Sequence, residues 1–155
     1  MSFLVRPLPA ASFEHLFGRD AEALSASGVI VRTVDARPGF PCRVSLRDGD
    51  IGGRALLMNF EHQPANSPFR SSHAIYVMDG AREAQPDLNE VPQVMASRLL
   101  SIRAFSAEGM IVAGDVVDGA GAGPAFNDML AREDVAYLHA HYARLGCFAA
   151  RVERA

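Results

Sequence analysis

The C-terminal part of the chain contains a stretch with the pattern of a β-hairpin: Tyr137-Leu138-His139-Ala140-His141-Tyr142-Ala143-Arg144-Leu145-Gly146-Cys147-Phe148-Ala149-Ala150-Arg151. Aromatic and apolar residues stand on both sides of a short segment that ends in Gly146, and glycine readily adopts the positive φ of a tight turn. We therefore predict two strands, one from Val135 to Tyr142 and one from Cys147 to Arg154. Strands joined by so short a turn pair antiparallel.

Upstream of this hairpin, short apolar and β-branched runs alternate with turn residues. We predict strands at Val29 to Val34, Arg54 to Glu61, His73 to Met78, Leu99 to Phe105 and Met110 to Val117. We predict short helices after a Ser12 cap, from Ala21 to Ser27 and from Pro124 to Arg132. Helices near the two ends that flank a run of closely connected strands favour the α+β class. The expected architecture is one domain over residues 1–155, with a mainly antiparallel sheet of about five to seven strands and a few short flanking helices.

The composition excludes several classes of function. All 15 basic residues of the 155-residue chain are arginine, so no lysine is present for a Schiff base or for the phosphate-binding position of a P-loop. With a net charge of −3, the chain lacks the excess of positive charge that is typical of proteins that bind the nucleic-acid backbone. No apolar run is long enough for a membrane span, and no basic leader followed by an apolar stretch opens the chain. We expect a cytoplasmic protein whose two cysteines, Cys42 and Cys147, are normally kept reduced.

The two histidines of the hairpin are its most informative residues. Alternate residues of a strand share a face, so His139 and His141 project together about 7 Å apart along the chain, and two imidazoles at that spacing can converge on one metal. A three-residue turn ending at Gly146 would pair His141 with Ala149 and place Cys147 on the same face as the histidines. A two-residue or four-residue turn would place the thiol on the opposite face. Whether Cys147 can share a site with the two histidines therefore depends on a shift of one residue in the strand register.

Several functions fit such a face, and the sequence leaves them open. Two histidines with Cys147 or Cys42 could hold zinc or another divalent transition metal. Cys147 could instead be the nucleophile of an enzyme, with His139 or His141 as its base and Arg151 favouring the thiolate. Alternatively, the histidines and arginines could bind a small anion without catalysis. The fourth interpretation is a structural or interaction module in which the histidines are buried sheet residues bonded to their neighbours. The oligomeric state and any enzymatic activity are not predicted.

Three arginines are the candidate contacts for an anionic ligand. Arg43 adjoins Cys42, Arg70 follows a proline turn, and Arg151 is placed across the hairpin from His139. Guanidinium stays charged when partly buried and can bind a carboxylate or phosphate through two parallel hydrogen bonds. His62 and His73 flank the loop that carries Arg70, so either of them could lie near the mouth of a cleft.

Three segments together resemble one bacterial protein family. They are Arg37-Pro38-Gly39-Phe40-Pro41-Cys42-Arg43-Val44-Ser45-Leu46 with Asp48, then Ser67-Pro68-Phe69-Arg70, then His139-Ala140-His141 with Gly146-Cys147-Phe148-Ala149-Ala150-Arg151. The chain is similar over nearly its whole length to the domain of unknown function numbered twelve hundred and three, a family of small proteins. This resemblance implies no activity or ligand. It does indicate that the proline-glycine turn and the histidine hairpin are defining features.

Overall fold

The computed structural model describes residues 1–155 and has the predicted α+β fold. Its strands are β1 (Phe3–Arg6), β2 (Ile30–Thr33), β3 (Arg54–Gln63), β4 (Ser71–Met78), β5 (Leu99–Phe105), β6 (Ile111–Asp118), β7 (Tyr137–Tyr142) and β8 (Phe148–Arg154). Its α-helices are α1 (Ala21–Ala26), α2 (Gln93–Ala96) and α3 (Ala122–Leu130). The strands form two sheets, a five-stranded sheet in the order β1-β8-β7-β5-β6 and a three-stranded sheet in the order β2-β3-β4. No helix is long and apolar enough to cross a membrane.

The residues group into two compact units. The first unit comprises Met1–Arg6, Glu61–His73 and Gln85–Ala155, and it contains the whole five-stranded sheet. The second unit comprises Pro7–Phe60 and Ala74–Ala84. Strands β3 and β4 each begin in one unit and end in the other. The expectation of one domain over the whole chain stays a prediction.

One face of the five-stranded sheet is apolar and lies against α3. Ile102, Leu138 and Val152 alternate with polar neighbours along β5, β7 and β8, and all three are fully buried. Phe3 packs edge-on against Phe126 of α3, with ring centroids 5.3 Å apart. Complete burial of such side chains stabilises the fold by about 1.5–3 kcal/mol each. The other face therefore carries the alternate residues of the same strands, and these are the polar and aromatic ones.

In the second unit, two elements near the start differ from the prediction. The segment after Pro9 forms two 3-10 turns, at Ala10–Ser12 and Glu14–Leu16, and not an α-helix capped by Ser12. Phe13 and Leu16 are nevertheless buried in the core, as an apolar stripe requires. The helix expected after Gly18 is present as α1, where the Asp20 side chain accepts a hydrogen bond from the Ala23 N–H.

The proline-glycine turn, Arg37 to Arg43, also lies in the second unit and forms neither a helix nor a regular strand. The Arg37–Pro38 peptide bond is cis. Phe40 packs on Tyr76, with ring centroids 4.9 Å apart. The Cys42 sulfur is buried and accepts hydrogen bonds from the Ser45 and Met78 N–H groups, at 3.4 and 3.2 Å. This turn is therefore held by core packing and local hydrogen bonds.

Candidate metal centre

The β7–β8 hairpin places its histidines by a register that includes a β-bulge. Tyr142 and Cys147 pair through the hydrogen bond from the Tyr142 N–H to the Cys147 carbonyl, at 2.9 Å, so the turn has four residues. The register then shifts, because His141 lies opposite Phe148 while Ala140 lies opposite Ala150. His141 pairs with Phe148 as the four-residue turn requires, and not with Ala149 as a three-residue turn would have given; the bulge then leaves Ala149 of β8 without a pairing partner.

The bulge and the four-residue turn each have a consequence for the proposed site. Beyond the bulge the register returns to the predicted one, so that His139 pairs with Arg151. Cys147 pairs with Tyr142, and Tyr142 alternates with His141 along β7, so the thiol belongs to the opposite face of the sheet from the histidines. Phe148 takes the place opposite His141 that the three-residue turn would have given to Ala149.

A third histidine completes a cluster on this face. His62, near the end of β3, joins His139 and His141 so that one ring nitrogen from each lies within 4.8 Å of the others. All three residues belong to the first unit, and they are 9%, 3% and 1% exposed, respectively. The ring centroids of His62 and His141 are 4.9 Å apart, and those of His62 and His139 are 6.1 Å apart. We name these three residues the histidine cluster.

Each member of the histidine cluster has a buried ring nitrogen without a hydrogen-bond partner. These atoms are His62 Nδ1, His139 Nδ1 and His141 Nε2. A buried polar atom that is left unsatisfied costs about 1–3 kcal/mol. Three such atoms in one place are unusual in a folded core, where buried polar groups nearly always find a partner. A bound metal ion would provide one partner for all three nitrogens.

The tautomer of His141 suits metal binding. Its Nδ1 lies 2.9 Å from the Gly146 carbonyl oxygen, which only accepts hydrogen bonds, so Nδ1 carries the proton and donates it. The lone pair of the neutral ring is then on Nε2, the unpartnered atom. Metal-bound histidines commonly donate their other N–H to a backbone carbonyl in this manner. Gly146 has a φ of +79°, so the turn glycine also orients the imidazole.

Aromatic rings surround the histidine cluster. Phe148 stacks on His62, with ring centroids 5.3 Å and ring planes 7° apart, and it meets His139 and His141 with its edge. Phe105 packs against His139, with ring centroids 4.9 Å apart. This packing restricts the imidazole rotamers and excludes water, and both effects favour a preorganised site.

The burial keeps the three imidazoles neutral. Desolvation lowers the pKa of His139 and of His141 to about 3, and that of His62 to about 4. The positive charge of Arg103 lowers the pKa of all three histidines further. At neutral pH each ring therefore keeps a free lone pair, the form in which histidine binds a metal.

Each of the three candidate arginines has partners within the chain. Arg70 pairs with Glu61 at 3.0 Å, and Arg151 pairs with Glu153 at 2.6 Å while its guanidinium lies over the Tyr137 ring. Arg43 is buried in the second unit, where its Nη1 donates to the Pro41 carbonyl.

Cys42 and Cys147 are free, and neither belongs to the histidine cluster. Of the residues first considered as metal ligands, the structure thus brings together His139 and His141, with His62 in addition.

Arg103 is the arginine beside the cluster that the sequence did not indicate. It pairs with His139 across β5 and β7, so the two side chains share a face. A signal for it was present, because Ser101 and Arg103 alternate with Leu100, Ile102 and Ala104 along β5. That alternation is typical of a strand with one apolar face and one polar face.

Comparison with known proteins places these residues in a family. A model of the family described as "Protein of unknown function (DUF1203)" matches residues 39–154. The chain belongs to the DUF1203 family. The DUF1203 region contains the whole histidine cluster, Arg103, Phe148 and the proline-glycine turn from Gly39 onward. No curated protein and no solved structure matches the chain.

Proposed function

We propose that this DUF1203 protein binds a divalent transition metal ion, zinc above all, through His62, His139 and His141. The observation that carries the proposal is the convergence of three buried imidazoles, each with a ring nitrogen that has no partner. Imidazole nitrogen is a common zinc ligand, with Zn–N distances of about 2.0–2.1 Å. Tetrahedral binding at that distance brings ligand nitrogens to about 3.4 Å from one another, so nitrogens that now lie within 4.8 Å of one another would approach by up to about 1.4 Å.

Three protein ligands leave a fourth position for a water molecule or an exogenous ligand. Catalytic zinc sites have three protein ligands and one open position, whereas structural zinc sites are usually closed by four protein side chains. The cluster contains no thiolate, so the site would differ from the cysteine-rich structural centres. We infer that the metal serves ligand binding.

Elemental analysis of protein purified without a histidine tag tests the proposal. After incubation with zinc and gel filtration, we expect close to one equivalent of zinc per chain. His139→Phe should lose it, because phenylalanine fills a similar volume and offers no ligand. The matched control is His15→Gln, since His15 is an exposed histidine outside the cluster, and this variant should bind as wild type does. Less than a tenth of an equivalent in the wild type would refute the metal site.

We also propose that the protein acts in a reducing compartment such as the cytoplasm. Both cysteines are free, and no disulfide holds the fold. Unchanged thermal stability after treatment with a reductant would agree with this proposal, whereas a loss of stability would reveal a bridge and contradict it.

A further inference from the structure

We propose that Arg103 and the open metal position together bind a small carboxylate ligand. This inference rests on the proposed metal site and adds the class of ligand that the site takes. Arg103 and His139 are direct cross-strand neighbours on the same face of the sheet, and Ser101 is the corresponding neighbour of His141. A ligand bound at the fourth metal position on this face would therefore lie beside the guanidinium.

Arg103 is available for such a ligand. It forms no hydrogen bond, ion pair or ring contact with the rest of the chain, although it is partly buried. Arginine is almost never fully buried unless it is paired, so partial burial without a partner leaves the charge of Arg103 only partly solvated. The other arginines on the neighbouring strands are occupied, because Arg6 and Arg151 both pair with Glu153. A partly buried guanidinium with no partner beside three buried imidazoles has the character of an anion site.

The charge balance also favours an anion. Three neutral histidines with a divalent ion carry a charge of two, and Arg103 adds a third positive charge. On β3 and β8 the carboxylates are already engaged, because Glu61 pairs with Arg70 and Glu153 pairs with Arg6 and Arg151. On β6, Asp115 lies opposite Ile102, on the other face of the sheet, and Asp118 lies opposite Leu99, four residues along β5 from Arg103. Uncompensated buried charge is costly, so the loaded site would favour a ligand that brings negative charge.

The surroundings favour a carboxylate over phosphate. A carboxylate matches the guanidinium fork with two parallel hydrogen bonds and also offers an oxygen to the metal. Its single charge is cheaper to desolvate than a phosphate dianion, which matters at a site whose histidines are almost fully buried. Phe105 and Tyr137, which lie beside His139, would offer apolar contacts to the carbon skeleton of the ligand.

Cobalt-substituted protein provides the test, because the visible absorption of Co²⁺ changes when its ligands change. Chelator-treated full-length protein is loaded with Co²⁺, its metal content is measured, and the spectrum is then followed during titration with acetate. We expect saturable spectral changes in the wild type. Arg103→Gln should keep the cobalt stoichiometry and bind acetate at least about tenfold more weakly, as expected for loss of a charge-assisted hydrogen bond. Arg103→Lys keeps the charge without the fork and should fall between the two.

Matched measurements separate this inference from the metal proposal. Arg144→Gln removes an exposed arginine from the hairpin turn and should bind acetate as the wild type does. Absence of bound cobalt would refute the metal site itself. Normal cobalt content with no spectral response to acetate, or equal acetate affinity in wild type and Arg103→Gln, would overturn the role of Arg103 and leave the metal site standing. Tighter binding of phosphate than of acetate would contradict the carboxylate assignment.

Discussion

Mild acid should destabilise the metal-free protein strongly, because its buried histidines resist protonation. The perturbation is a change from pH 7 to pH 5 in the presence of a chelator. The pKa of His139 and of His141 is about 3 in the folded protein, against 6.5 for an ordinary histidine. A folded pKa below the unfolded one means that stability is fully present above about pH 6.5 and is lost as the pH falls, since only the unfolded chain takes up protons.

The size of the stability loss follows from these pKa values. At pH 5 an unfolded histidine with a pKa of 6.5 gains about 2 kcal/mol from protonation, against about 0.2 kcal/mol at pH 7, while the buried histidines gain almost nothing. His139 and His141 together should therefore reduce the free energy of unfolding by about 4 kcal/mol between pH 7 and pH 5. His62, whose pKa is also lowered, acts in the same direction. Such a loss is a large part of the total stability of a small protein.

Urea unfolding followed by circular dichroism at pH 7, 6 and 5 measures this loss. His139→Phe should unfold with a pH dependence that is weaker by about 2 kcal/mol over the same interval, because one buried titrating group has been removed. His15→Gln is the control and should keep the wild-type dependence. A wild-type loss below 1 kcal/mol, or an undiminished loss in His139→Phe, would refute the reasoning from burial.

Three further predictions concern packing and cooperativity. Phe148→Ala should lower the free energy of unfolding by about 3–5 kcal/mol, because it removes the ring that stacks on His62, and the zinc affinity should fall as well. A loss below 1 kcal/mol in urea titrations would argue against this packing. Gly119→Ala should lower the free energy of unfolding by about 3 kcal/mol or more, since a Cβ there would overlap the Met95 carbonyl oxygen. Gly121→Ala should be neutral, because a Cβ at that position meets no atom within 4 Å. Equal stability of the two variants would contradict the structure. We also expect a single unfolding transition, because β3 and β4 run through both units; calorimetry that resolves two transitions would contradict the one-domain prediction.

Much of the fold could be predicted from periodicity and turn residues. The β5–β6 and β7–β8 pairs have apolar, strand-forming runs on either side of glycine-containing turns, and their bounds agree closely with the prediction. The prediction of an α-helix after Ser12 is wrong because an apolar stripe in so short a segment does not distinguish α from 3-10 geometry. The division of the strands into two sheets depends on long-range pairing, which local sequence patterns do not encode.

The candidate site could be predicted only in part. Same-face spacing correctly placed His139 with His141, because that relation is a property of one strand. The four-residue turn, one of the registers that the sequence left open, places Cys147 on the face opposite the histidines, and the bulge that returns His139 to Arg151 could not be foreseen. His62 lies more than 70 residues earlier on another strand, so only tertiary structure shows that it meets the hairpin. Arg103 required the register of β5 against β7.

The central claim is that three imidazoles and no thiolate hold the metal, and X-ray absorption spectroscopy of the zinc-loaded, untagged protein tests it most directly. We predict a first shell of nitrogen and oxygen only, at about 2.0–2.1 Å, with the outer-shell scattering of three imidazole rings. The spectrum of Cys147→Ser should be identical to that of the wild type. A sulfur ligand at about 2.3 Å, or fewer than three imidazoles around the zinc, would contradict the claim.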